Sequence, residues 1–135
     1  MIFLDTSGAY ALADRDDERH ELAVKMLEAA IISGRQIVTH SYVLVESAAL
    51  MHRRLGRHTA LAFLNEAAGF DVNWVSSEMH AEAVELLAKH EKPDVSLVDI
   101  VSFLVMGQEG IAEYLGFDQH FEGEGFRQLE LTADG

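Results

Sequence analysis

Apolar and polar positions follow two rhythms along this chain, one of short continuous runs and one of helical spacing. Residues 1–5 are an apolar run closed by Asp5, which predicts a short buried strand. Over residues 17–33 (DDERHELAVKMLEAAII), Leu22, Met26, Leu27 and Ala30 recur at helical spacing. Acids lead that segment, as the helix macrodipole favours, and Gly34 stops it. Gln36–Thr39 then reads as a strand. Residues 41–55 predict a helix closed by Gly56, and a further helix covers 57–68. Asp71–Val75 reads as a strand and Ser77–His90 as a helix. The segment 96–109 (SLVDIVSFLVMGQE) predicts a more apolar, central helix. Ile111–Leu115 and Gln128–Leu131 are two short edge-strand candidates. Phe63, Phe103 and Met106 take core positions, Trp74 is expected to pack under the sheet, and His52 and His58 line a solvated helix face. Strands separated by helices argue for an α/β fold, a parallel sheet with helices on both faces.

No repeat, low-complexity tract or linker divides the chain, and its 135 residues read as one domain, 1–135. Half of them are apolar, enough to build a core. The absence of cysteine excludes disulfides, thiolate zinc sites and cysteine nucleophiles, and fits a reducing cytoplasm. Met1–Asp5 shows no basic leader and no membrane span. A formal charge of −13, from 10 basic and 23 acidic residues, argues at first against nucleic acid. Bound divalent cations would cancel part of it locally, and the few bases cluster: Arg53, Arg54 and Arg57 lie within five positions, beside His52 and His58. An acidic body also suits a basic protein partner.

Four acids stand out. Asp5 closes the first strand before Thr6-Ser7. It reads as an N-cap of the next helix, or as a metal ligand at the strand mouth, since open α/β sheets place their chemistry at strand carboxyl ends. Glu46, in YVLVESAAL, is a lone acid in apolar sequence, on a thin exposed stripe or buried with a compensating cation. Asp99 stands three residues after Ser96, the spacing of a capping box, which also aims a carboxylate at a helix N-terminus. Asp94 is its natural substitute. Asp118, after Gly116-Phe117, reads as a turn residue or as a last ligand on the loop after the fourth strand. Together these hard oxygen donors suit Mg²⁺ or Mn²⁺, which would activate a water and steady phosphate oxygens. The chain has no H-E-x-x-H, no G-x-S-x-G around Ser7 or Ser102, no P-loop and no G-x-G-x-x-G.

In order and spacing, Phe3-Leu4-Asp5-Thr6-Ser7, Val45-Glu46, Ser96-Leu97-Val98-Asp99-Ile100-Val101-Ser102-Phe103, Phe117-Asp118-Gln119-His120-Phe121 and the closing Gly125-Phe126 resemble the PIN-domain ribonucleases. Within that family the chain is most similar to the VapC-type toxins of prokaryotic toxin–antitoxin pairs. The resemblance implies a single-domain, three-layer fold with a central parallel sheet of about five short strands flanked by helices. It implies a cytoplasmic endoribonuclease using Mg²⁺ or Mn²⁺ and leaving a 3′-hydroxyl and a 5′-phosphate. Asp5, Glu46, Asp99 and Asp118 would be the four acids, with Thr6 orienting Asp5 or a water. Arg53, Arg54, Arg57 and His120 would guide RNA. A homodimer and a cognate antitoxin are the implied partners. The chain departs from many relatives in carrying Phe117 where they have Thr, and Asp94 where they have another residue type. Two rival readings are a catalytically silent binding module on the same fold and a phosphoryl-transfer enzyme with Asp5 as nucleophile. Clustered acids without structural benefit argue against the first. Ser7 in place of a second Asp, and the lack of a lysine after Lys92, argue against the second.

Overall fold

The computed structural model describes residues 1–131. Five parallel strands form one sheet in the order β3-β2-β1-β4-β5. They are β1 (Ile2–Leu4), β2 (Ile37–His40), β3 (Asp71–Asn73), β4 (Glu113–Leu115) and β5 (Arg127–Gln128). Helices α1 (Thr6–Ala13) and α2 (His20–Ile32) follow β1, and α3 (Ser41–Leu55) and α4 (Arg57–Ala67) follow β2. The chain continues from β3 through α5 (Ser77–Lys89) and α6 (Leu97–Glu109) to β4, and through α7 (His120–Gly123) to β5.

Pleating explains how one apolar run serves two layers. Ile2 and Leu4 enter the core shared with α1, α2 and α4, where Ala9, Met26 and Phe63 are buried. Phe3, pointing the other way, enters the core of α5, α6 and α7 with Ala83, Val101, Val105, Met106 and Phe121. Ile37 and Val38 split likewise, as do Leu115 and Tyr114. A sheet covered on both faces needs apolar residues at every strand position, and β1 and β2 are buried throughout.

Several expectations change. β4 is not an edge strand; it lies beside the central β1, and β3 and β5 are the edges. β5 occupies Arg127–Gln128 rather than 128–131. Trp74 does not pack under the sheet: it follows edge strand β3 and is 75% exposed. Leu22 is exposed, because α2 turns Ala23, Met26 and Ala30 inward. Phe103 is half-buried, while Phe63 and Met106 are core residues. Among the described residues no helix is long and apolar enough to cross a membrane.

Candidate active site

The strand order fixes where a site can form. From β1 the chain runs outward through β2 to β3, then crosses to β4 on the other side of β1. The switch point therefore lies between β1 and β4, and a crevice opens beyond their carboxyl ends. Asp5 leaves β1 directly, Gly116, Phe117 and Asp118 leave β4, and the first turn of α6 brings in Asp99.

Asp5 is 3% exposed. Burial pushes its carboxyl from 3.8 to about 6, against the lowering effect of its bond to Ser7, and the negative charge of Asp99 adds to the rise. Ser7 Oγ donates to Asp5 Oδ2 at 2.8 Å, and the Ser7 N–H, at 3.4 Å, makes Asp5 the N-cap of α1. Ser7 Oγ also accepts from the Phe117 N–H at 2.8 Å, so one hydroxyl ties the β1 acid to the β4 loop. Gly116 permits that approach. A Cβ there would stand 3.0 Å from Asp5 Cβ and 3.1 Å from Ser7 Oγ. Gln128 Nε2 holds the Gly116 carbonyl from β5 at 2.7 Å.

Asp99 is both cap and site residue by position. Ser96 Oγ accepts from the Asp99 N–H at 3.1 Å, and Asp99 Oδ2 accepts from the Ser96 N–H at 3.0 Å, closing the capping box. Burial raises the Asp99 carboxyl above its ordinary value, the Ser96 bonds oppose this, and the negative charge of the neighbouring Asp118 adds to the rise. Asp118 Oδ1 in turn accepts from the His120 N–H at 2.9 Å, an Asx turn that shapes the loop.

Asp5, Asp99 and Asp118 thus form one electrostatically linked group, although among the described residues no three ligating side chains converge on a common point. Their chemistry fits a hard divalent cation: crowded carboxyls, with Asp5 and Asp99 raised by burial, beside the buried Thr6 hydroxyl, which has no hydrogen-bond partner. Glu46 differs from the other acids. It is exposed on an outward stripe of α3 with Val45, Ala49, His52 and Arg53. Asp94 is exposed and pairs with His120 at 3.2 Å. Arg53, Arg54 and Arg57 are exposed where α3 meets α4, and Arg54 lies over the Tyr10 ring of α1, its guanidinium carbon 5.4 Å from the centroid.

Three residues of this site escaped the sequence reading. Ser7 and Gly116 work across a sequence gap of more than a hundred residues, which no local pattern reports. Arg19 lies over the Phe117 ring, 5.1 Å from its centroid, and its signal was lost in the acidic run around it.

Comparison with known proteins follows the same lines. A PIN domain model matches residues 2–123. The chain is 33% identical over 131 residues to the 23S rRNA-specific endonuclease VapC20 from two strains of Mycobacterium tuberculosis, covering 96% of this chain and 98% of that protein. The crystal structure of Mycobacterium tuberculosis VapC20, described as a sarcin–ricin loop cleaving toxin, superposes with a TM-score of 0.81 at 32% identity, over 93% of this chain and 96% of that one. With the parallel sheet and its switch-point acids, these matches establish that the chain belongs to the PIN-domain family and is of the VapC type.

Proposed function

We propose that this protein is a metal-dependent endoribonuclease, the toxin of a toxin–antitoxin pair, acting in the cytoplasm through Asp5, Asp99, Asp118 and Glu46. The observation that carries the reading is the set of crowded carboxyls at the β1/β4 switch point, with Asp5 and Asp99 buried and their proton affinity raised, beside a partnerless Thr6 hydroxyl. Asp5, Asp99 and Asp118 would hold Mg²⁺ or Mn²⁺, and Glu46 joins them on the family pattern alone. A bound cation of this kind would supply the Lewis-acid chemistry that activates water and offsets charge on the phosphate. The chain's own part is positional. Ser7 fixes the Asp5 carboxylate, Ser96 fixes Asp99, the Asx turn at Asp118 fixes the loop, and Thr6 orients Asp5 or a water. Arg53, Arg54, Arg57 and His120 would guide the RNA backbone.

Ribosomal RNA is the first substrate to test, because the mycobacterial relative is named for it. Wild-type protein with Mg²⁺ or Mn²⁺ is expected to cut a sarcin–ricin loop RNA or another stem-loop RNA, leaving a 5′-phosphate. Chelation and Asp99→Asn should each abolish the cut while circular dichroism stays unchanged. Full activity in Asp99→Asn, or no cleavage of ribosomal or transfer RNA with either metal, rejects the proposal.

The partners are a basic antitoxin segment and a second copy. The second copy is supported by exposed apolar residues: Val45, one turn from Tyr42, Val84, one turn from His80, and Trp74 beside the strand end. Tyr42 and His80 are bonded at 2.6 Å, and Ser41 Oγ accepts from the Val75 N–H at 3.0 Å, which ties α3 to α5 and to the segment after β3.

A further inference from the structure

We infer that Arg19 is a substrate-binding residue, gripping an RNA phosphate next to the one being cut. The inference rests on the RNA-cleaving reading above and adds a residue to it.

A protein of formal charge −13 that handles a polyanion must place its few cations where they count. Most of its arginines with defined contacts are engaged by the chain itself. Arg35 pairs with Glu113 at 2.7 Å, and Arg54 lies over Tyr10, whose hydroxyl bonds Asp14 at 2.7 Å. Arg19 differs. Among the described residues it forms no ion pair, despite three acids just before it in the chain. The Asp17 carboxylate is turned instead to the Arg19 backbone N–H, at 2.8 Å. The exposed side chain lies over Phe117, with its guanidinium carbon 5.1 Å from the ring centroid.

Phe117 is no ordinary platform. It precedes Asp118, and its own N–H is bonded to Ser7 Oγ, which bonds Asp5. The ring is half-buried and packs on the core of α1 and α2. The start of α2 is anchored as well, since His20 Nδ1 donates to the Ala11 carbonyl of α1 at 2.8 Å. A guanidinium stacked on a fixed ring keeps its edge N–H groups free, in a plane suited to two phosphate oxygens. Arg19 thus stands at the rim of the carboxylate group with its donors unspent.

The test uses labelled stem-loop RNA with Mg²⁺. Arg19→Met keeps an unbranched apolar side chain over Phe117 and removes the charge. Lys25→Gln, on an exposed position of α2, removes the same charge elsewhere. In an Asp99→Asn background that binds without cutting, Arg19→Met is expected to weaken RNA binding about tenfold or more and to flatten the dependence of log K on log salt by roughly one phosphate contact. Arg19→Lys should recover part of the affinity, and Lys25→Gln should stay near the parent. In the cleaving enzyme, Arg19→Met should raise KM more than it lowers kcat. Parent-like affinity and salt slope in Arg19→Met overturn the inference, as does an equal loss in Lys25→Gln, which would mark a diffuse field. Wild-type cleavage of the RNA in those cases leaves the nuclease reading standing. A wild type that neither binds nor cuts RNA overturns both.

Discussion

Asp5 carries a charge where water barely reaches, and that has a consequence for stability. Its carboxyl stands at about 6 in the fold against 3.8 ordinarily. In the interval between, the native state holds a proton that the unfolded chain has released. Stability therefore falls as pH rises through this interval. The cost is absent below pH 4 and complete above pH 6, where it is on the order of 3 kcal/mol. Asp99, also raised by burial, adds a cost of the same sign. Asp5→Asn removes the charge but keeps an oxygen to accept from Ser7 Oγ. In chelator at pH 7.5 the variant is expected to melt above wild type, and the gap should narrow as pH falls and close below pH 4. Divalent cation should raise the melting temperature of wild type and leave the variant unmoved. A variant that melts below wild type at pH 7.5 would show that Asp5 is a structural cap and little more.

At the scale of elements, α1 sits hard against β4, and a glycine permits it. A Cβ on Gly8 would stand 2.3 Å from the Leu115 carbonyl oxygen, a backbone atom that cannot rotate away. On α6, a Cβ on Gly107 would meet nothing within 4 Å. The same substitution should thus have opposite signs. Gly107→Ala is expected to stabilise by up to about 1 kcal/mol through helix propensity. Gly8→Ala should destabilise by roughly 1–3 kcal/mol or more, by forcing α1 and β4 apart at the strand end that carries the site. Urea melts of both variants check the pair, and a stabilised Gly8→Ala would refute the close approach. These elements also show what a sequence can and cannot report. The helices and the alternation with strands were legible because hydrophobic spacing is local, and the Ser96–Asp99 box because capping is a three-residue matter. Asp5 was legible because it ends an apolar run. The interior place of β4 was not, since strand order is settled by crossovers that leave no mark in a three-residue segment. Trp74 misled because an aromatic residue beside a strand ordinarily packs inward, and here β3 is an edge. Ser7, Gly116 and Arg19 act on residues about a hundred positions away, so only the folded chain brings their roles together.

The proposed function sets the whole molecule two associations with opposite electrostatics. RNA binding releases counterions and weakens as salt rises. Pairing two copies of this chain joins bodies of formal charge −13 each, so salt should strengthen it by screening their repulsion. What would hold the copies must then be apolar, and Trp74 at 75% exposed and Val45 at 68% exposed are candidates, as is Ile32 of α2 at 85%. A large aromatic residue left in water on a face beside a bonded Tyr42–His80 pair has the character of an interface anchor. Wild-type protein is therefore expected to sediment at twice its 15.0 kDa chain mass, with the dimer tightening between low and moderate salt. Trp74→Glu removes the anchor and adds a like charge without touching the core, so it should sediment as a single chain with an unchanged circular dichroism spectrum. An unaltered dimer in Trp74→Glu would exclude this face. A dimer that loosens as salt rises would show instead that opposite charges, not apolar burial, bring the copies together.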